Sequence, residues 1–254
     1  MKGYRLFIDI TDEFLDKKID EILSQNNIQS ICDYGCGEGG LLQRIEARHP
    51  GRFKLCGIDY FSLWPEAMRP KSSGSINLVD RNGDEFKKIG AFDLIVSTFA
   101  LHHYRLPVTE LQQICEFLNP NGLLFISDMH FENKTDAEAT KNIDSFVDEA
   151  FAACLGKFHR HHYTIEEVLD LLKAAPLSVI DSKIQRLPLD EVQWRKDGKN
   201  SLEYFTRKRD LLSKLNQPVL EQWFRNAFSQ GVEMIDRFGV DYSAVFTIIA
   251  KKTE

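Results

Sequence analysis

Apolar and polar positions along the first half of the chain alternate between two rhythms. Short apolar runs around Ile31-Cys32, Leu55 to Ile58, Ile76 to Val79, Phe92 to Ser97 and Leu123 to Ser127 are bounded by Gly, Pro, Asn or Asp, and they predict buried strands. Between them the apolar residues recur every three or four positions. Thr11-Asp12-Glu13 offers a capping oxygen and two acids ahead of Phe14, Leu15, Ile19, Ile22 and Leu23, which predicts a leading helix that starts there and ends at Asn26-Asn27. Leu41, Leu42 and Ile45 predict a second helix, stopped by Pro50-Gly51. Leu111, Ile114, Cys115 and Leu118 mark one face of a third, over 108–118. Strands and helices alternating in this way imply a doubly wound α/β fold with a mostly parallel sheet, whose ligands sit at the C-terminal ends of the strands.

Past Asp128 the pattern turns helical. Ile143, Phe146, Val147, Ala150, Phe151, Cys154 and Leu155 recur at three and four residues, as an amphipathic helix requires. Thr164-Ile165-Glu166-Glu167 reads as a capping box opening a helix that ends near Ala175-Pro176, and a strand follows from about Leu177 to Leu187. Residues 200–238 are charged and helical, with Leu211, Leu212, Leu215, Val219, Leu220, Trp223, Phe224, Ala227 and Phe228 as buried candidates. Tyr242 to Lys251, rich in Val, Ile and Phe, predicts a closing strand. No internal repeat or low-complexity tract is visible.

The most informative segment is Ser30 to Leu41, a strand that carries Asp33 near its end and runs into Gly35-Cys36-Gly37-Glu38-Gly39-Gly40 at the start of a helix. Glycines there permit positive φ and close ligand approach, and the helix start offers free N–H groups. Gly35-x-Gly37-x-x-Gly40 satisfies a dinucleotide fingerprint, and Asp59 lies 19 residues further on, so an NAD-dependent oxidoreductase is one reading. Two details bend it away from NAD. Asp33, two residues before the first glycine, would repel a pyrophosphate and suits an ammonium group, and the glycines at 35, 37 and 39 alternate.

Ile31-Cys32-Asp33-Tyr34-Gly35-Cys36-Gly37-Glu38-Gly39 resembles the first motif of the class I S-adenosylmethionine-dependent methyltransferases, small-molecule type. Four further segments match in order: Leu55 to Tyr60, Asp80-Arg81, Phe92 to Ser97 with Leu101-His102-His103, and Leu118 to Asp128, where Asn121 replaces a commoner glycine. The matches cover roughly half of the chain. The resemblance implies a seven-stranded sheet with an antiparallel last strand, and S-adenosylmethionine as cofactor. The implied cofactor residues are Asp33, Gly35, Cys36, Gly37, Gly39, Asp59, Tyr60, Asp80, Arg81 and Ser97, with Asp59 on the ribose hydroxyls and Asp80-Arg81 at the adenine edge. It also implies one domain over 1–254, made of an N-terminal helical segment (1–27), a cofactor-binding core (28–130), a helical acceptor-side segment (131–176) and a helical insertion (188–240). That insertion is expected over one edge of the sheet, since in the family the last two strands form a hairpin.

Methyl transfer from a sulfonium is an in-line displacement, so the protein mainly positions the two reactants and excludes water. A base helps where the acceptor must lose a proton. Histidine is suited to that, and His102, His103 and His130 follow predicted strands on the cofactor side. His159-Arg160-His161-His162-Tyr163 reads as a solvated loop bordering the acceptor pocket, and Tyr4 and Phe7 as core or as an N-terminal lid. No acid or Cys near the histidines has convincing ligand spacing, so no metal is expected.

Length and composition add limits. A chain of 254 residues with net charge −6 is ordinary for a globular protein and a poor partner for phosphate backbones, so a small-molecule acceptor is expected over tRNA or a protein side chain. Arg195, Lys196 and Lys199, and Arg207, Lys208 and Arg209, read as solvated helix faces. Cysteines at 32, 36, 56, 115 and 154 sit on strands or apolar helix faces and suggest reduced core thiols. No apolar run of about 18 residues and no apolar leader appears, so no membrane is expected and a cytoplasmic location is. A non-catalytic member of the fold is the remaining rival reading. The oligomeric state is open.

Overall fold

The computed structural model describes residues 2–63, 66, 69–70, 72, 74–192, 195, 198–199, 201–203 and 212–253, the side chains of 2–9 and 214 excepted. Tyr4, Phe7, Lys196, Arg207, Lys208, Arg209 and Leu211 thus lie outside the described side chains. Seven strands form one sheet in the order β3-β2-β1-β4-β5-β7-β6, the last strand antiparallel to the other six. They are β1 (Ser30–Tyr34), β2 (Lys54–Asp59), β3 (Ile76–Asp80), β4 (Phe92–Thr98), β5 (Leu118–Met129), β6 (Leu177–Arg186) and β7 (Ala244–Lys252). The helices are α1 (Lys2–Gln25), α2 (Gly40–Arg48), α3 (Pro107–Glu116), α4 (Asp136–Cys154), α5 (Ile165–Leu172) and α6 (Pro218–Phe238). The expected doubly wound sheet is therefore present, and the strand boundaries fall within about two residues of their apolar runs, except that β5 starts five residues before its run.

By compactness the chain divides into two units. The first comprises 12–128, 166–183 and 246–254. Its core joins Leu15, Ile19, Ile22 and Leu23 of α1 and Leu41, Leu42 and Ile45 of α2 to Ile31, Leu55, Leu94, Val96 and Phe125 of the sheet. Arginines of α2 tie the same two helices together, Arg44 to Asp12 and Asp16, and Arg48 to Asp16 and Asp20. The second unit comprises 1–11, 129–165 and 184–245. Val147 and Phe151 of α4 pack there on Leu212 and on Phe224, Phe228 and Ile235 of α6.

Several expectations change. Helix α1 starts at Lys2 instead of Thr11, because no residue between Tyr4 and Gln25 stops a helix, and Thr11 is buried within it. Helix α4 begins at Asp136 with a capping box of its own, Thr135 accepting from the Glu138 N–H and Glu138 from the Thr135 N–H. Its Ile143 and Phe146 are exposed, while Glu138, Lys141, Asn142 and Ser145 are buried, so the covered face is polar over the first half of the helix and apolar only from Val147 on. That face serves an ionic cluster: Arg186 bonds to Glu132 and Glu138 and reaches Asp241 at 3.5 Å, and Lys141 Nζ donates to the His130 carbonyl at 2.8 Å. Burial lowers the Lys141 ammonium to about 8. Val219, Leu220 and Trp223 of α6 are exposed instead of buried, leaving Leu212, Phe224 and Phe228 as the apolar anchors. Cys154, at the end of α4, is also exposed; the other four cysteines are buried, and all five are free thiols.

Between β4 and β5 the pairing passes from Phe92 with Leu118 to Leu94 with Leu123, so Asn119 to Gly122 bulge from the ladder. Asn121 holds φ at 64°, the left-handed region that glycine occupies freely and that other residues enter at roughly 1–2 kcal/mol. Asparagine is one of the few side chains that tolerates it. Asn121→Ala is expected to lower stability by about 1 kcal/mol and Asn121→Gly to leave it near wild type, as read from urea unfolding midpoints.

Candidate functional site

Strands β1 and β4 are neighbours, yet the chain departs from them toward opposite edges of the sheet. Their C-terminal ends therefore open the crevice in which such sheets hold ligands. Asp33 stands at this end of β1, 2% exposed, and its Oδ1 has no hydrogen-bond partner among the described residues. Burial, helped by the Asp59 charge and opposed by Arg44, lifts its carboxyl to about 7. A buried acceptor left without a donor costs about 1–3 kcal/mol, a cost that a bound cation or donor would remove.

The glycine turn follows directly. Gly35 holds φ at 88°, and a Cβ there would stand 2.5 Å from that of Ala100, so no other residue fits. Gly37 also takes positive φ, but a Cβ on it would meet nothing within 4 Å, so the space before its main chain is open to a ligand. Gly39, likewise left-handed, is the N-cap of α2. Cys36 is buried, and burial pushes its thiol far up, which leaves it an uncharged filler of the turn. The turn is fixed to β2 by the N–H groups of Gly35 and Cys36, both donating to the Ile58 carbonyl, at 2.8 and 3.1 Å. Asp59 completes the attachment, with Oδ2 accepting from Gly37 N at 2.8 Å and Oδ1 from Tyr60 N at 2.7 Å. Each of its oxygens retains a further lone pair for a diol.

Other expected cofactor residues are engaged with the protein. The Tyr60 hydroxyl donates to Glu110 Oε1 at 3.2 Å and accepts from Arg81 Nε at 2.6 Å. Arg81 also bonds to the Tyr34 hydroxyl, Gln113 and Glu110, so its guanidinium links the tips of β1 and β3 to α3. Asp80 Oδ1 accepts from Ser62 Oγ at 3.2 Å and from Asn82 N at 3.0 Å. Ser97 is 1% exposed and its hydroxyl meets that of Tyr104 at 2.7 Å, which in turn donates to the Tyr34 carbonyl. Tyr34, Tyr104 and Glu110 were not anticipated. Tyr34 meets Glu110, 76 positions away, and Tyr104, 70 positions away, through hydrogen bonds for which the sequence carries no local signal.

Among the histidines, His102 is buried and its Nδ1 lies 2.9 Å from Oδ2 of Asp128, itself 1% exposed at the end of β5. Burial works against the charged ring, but the Asp128 charge and hydrogen bond outweigh it and raise the His102 pKa. His103 is exposed, its ring centroid 4.1 Å from that of His102. In the sequence Asp128 stood only as the end of the fifth matching segment and was given no role in the site, although an acid ending an apolar strand is the same signal that marks Asp59. His130 belongs to the other compact unit, its N–H donating to the Ala244 carbonyl at 2.9 Å. In the expected loop His161 Nδ1 lies 2.6 Å from Glu149, and Arg160 stacks on Tyr163. Arg195 pairs with Glu191 on the surface.

The methyltransferase domain family matches residues 4–182. An uncharacterized methyltransferase of Schizosaccharomyces pombe is 28% identical over 211 residues, covering 73% of this chain and 69% of that protein. Among solved structures, a cyclopropane-fatty-acyl-phospholipid synthase-like protein from Lactobacillus casei aligns over 92% of this chain and 88% of its own with a TM-score of 0.65 at 12% identity. Coclaurine N-methyltransferase bound to N-methylheliamine and SAH aligns over 95% and 72%, with a TM-score of 0.53 at 16% identity.

The condition of Asp33 sets a pH signature. Its carboxyl titrates near 7 folded and in the ordinary carboxylate range unfolded, so the folded chain holds the extra proton between those values and loses stability as pH rises up to about 7, with no further loss above. Asp33→Asn is expected to be more stable than wild type, by a margin that grows up to about pH 7, while binding SAH more weakly. Thermal unfolding of ligand-free protein across pH, with calorimetric SAH titration, checks both. A variant equal to wild type in both would remove Asp33 from the site.

Proposed function

This chain belongs to the S-adenosylmethionine-dependent methyltransferases, and from that premise we propose that it moves the methyl group to an O, N, S or C atom of a small molecule, with His102 as the base. When bound, the cofactor supplies a methyl carbon made electrophilic by its sulfonium. Asp33 and the turn at Gly35, Gly37 and Gly39 fit its aminoacyl end, since the unpartnered Asp33 oxygen calls for a cation and the open face of Gly37 admits close approach. The remaining lone pairs of Asp59 suit a ribose diol. Tyr60, held by Arg81 and Glu110, offers its ring beside that sugar, while Asp80 and Arg81 stand at the end of β3 for the base.

The observation that carries the acceptor side is the His102–Asp128 pair. Asp128 accepts from Nδ1–H, which fixes the tautomer with the basic lone pair on Nε2 and stabilises the imidazolium formed when that nitrogen takes a proton. His103, exposed against the same ring, is a second candidate at the acceptor, and His130 a third from the acceptor-side segment. A small-molecule acceptor is supported by the net charge of −6, which disfavours a polyanion. No helix among the described residues is long and apolar enough to cross a membrane, in keeping with a cytoplasmic location.

Release of SAH from S-adenosylmethionine in the presence of amines, phenols, thiols and activated carbon acids, with the product identified by mass, tests the reading directly. On an acceptor so found, His102→Ala is expected to lower kcat by about 10²-fold with SAH affinity unchanged. The rate should rise with pH through a value above the usual 6.5 of histidine, and Asp128→Asn should move that inflection down. Asp59→Ala is expected instead to weaken SAH binding about 10- to 100-fold, the loss of hydrogen bonds to a charged group. Equal kcat in His102→Ala would exclude His102 as the base, and equal affinity in Asp59→Ala the ribose contact.

A further inference from the structure

Strand β6 is the last in the sheet order, with β7 on its inner side. Its outer side presents a row of backbone N–H and C=O groups that, among the described residues, no further strand pairs, the kind of edge onto which another strand adds. Proteins that stay monomeric usually blunt such an edge with Pro, a bulge, charged side chains or a covering loop, and β6 carries charges of both signs in Asp181 and Lys183. This one is ten residues long without Pro or Gly, and its side chains are at most half-buried along its whole length. Ile180 is 59% and Ile184 44% exposed, two β-branched apolar residues on one face.

The sequence of this edge is complementary to itself when reversed. In antiparallel pairing centred on Ser182, each residue faces the one equally far beyond the centre on the other strand. Ile180 of one copy then faces Ile184 of the other, joining apolar residues on one face of the ladder. Asp181 faces Lys183 on the opposite face, and the two-fold axis repeats both pairs. Within a single chain Asp181 and Lys183 form an exposed ion pair at 3.0 Å, of the kind that contributes little, so the charges are available for partners across a strand boundary. Beside the edge, a groove of about 680 Å³ lined by Leu169, Asp170, Lys173, Val179 and Ser182 leaves room for side chains of an added strand.

We propose that two copies of this chain associate through antiparallel pairing of β6 with β6, centred on Ser182, in an isologous two-fold interface that continues the sheet from one protomer into the next. The inference is independent of which acceptor is methylated.

Sedimentation velocity at micromolar concentration should show a dimer. Lys183→Glu places like charges opposite one another and is expected to weaken the dimer at least about tenfold, and the double variant Asp181→Lys/Lys183→Glu to restore it. In a Cys154→Ser background, Ser182→Cys should form a disulfide-linked dimer on oxidation because position 182 meets itself, whereas Val179→Cys, facing Gln185, should not. Unchanged SAH affinity in each variant reports that the fold is intact. A wild type that sediments as a monomer, a dimer indifferent to Lys183→Glu, or equal crosslinking at 179 and 182 would each overturn the interface.

Discussion

The attachment of Asp59 to the glycine turn is the contact on which the rest of the site depends. Gly35 and Gly37 sit at positive φ, where a chain without side chains has the most freedom to lose, and nothing in the glycines themselves holds that geometry. The hold comes from β2. Ile58 accepts two successive N–H groups from the turn, and Asp59 accepts a third from Gly37 while its other oxygen takes the N–H of Tyr60. One carboxylate thus shapes the surface before Gly37 and is itself aimed by that surface. Because the register pairs Tyr34 with Ile58, the strand ladder delivers both partners to the same level.

Next to this surface lies a network of polar side chains. Arg81 gathers Tyr34, Tyr60, Glu110 and Gln113, and Tyr104 joins Ser97 to the Tyr34 carbonyl. Tyr34, immediately before Gly35, belongs to both groups through its hydroxyl and its carbonyl. The tips of β1, β2, β3 and β4 are fixed to one another and to α3 by polar side chains in a region where an apolar core would leave the turn loose. Networks of this kind are costly when incomplete, and the unpartnered oxygen of Asp33 stands out against their completeness.

Most of the sheet was legible from apolar runs because a parallel strand is covered on both faces and therefore reads as continuous hydrophobicity, as Ile31-Cys32 and Leu94-Ile95-Val96 do. The candidate site was legible where one residue's type and position suffice to propose a role: the glycines at 35 and 37, and the acids at 33 and 59. Legibility failed where an element's surroundings decide. Helix α4 was assigned one apolar inner face running from Ile143 to Leu155, and its later part, Val147 and Phe151, does pack as expected, but at its start Arg186 and Asp241, about 50 and 100 residues away, draw Glu138 and Lys141 inward while Ile143 and Phe146 stay exposed. Thr135-x-x-Glu138 carries the same signature as Thr164-x-x-Glu167, so the start of α4 is as visible in the sequence as that of α5. The bulge near the start of β5 lay between these cases, since Asn121 in place of glycine was visible while the shift in pairing was not.

Two of the carboxylates at the ends of apolar strands in the candidate site, Asp33 and Asp128, solve the problem of burial in opposite ways. Asp128 is as deeply buried as Asp33, yet its oxygens take the ring N–H of His102, so the charge is compensated within the protein and serves to fix and charge the imidazole. Asp33 has no such partner, and its carboxyl rises to about 7 in consequence. If both were merely structural, the same chemistry that provided a histidine for one would be expected to provide a donor for the other, because an uncompensated buried acid lowers stability at every pH where it would ionise. A residue that stabilises the ligand-free fold least when ionised, at the one place where the main chain is also left open, is better explained by what binds there than by what packs there.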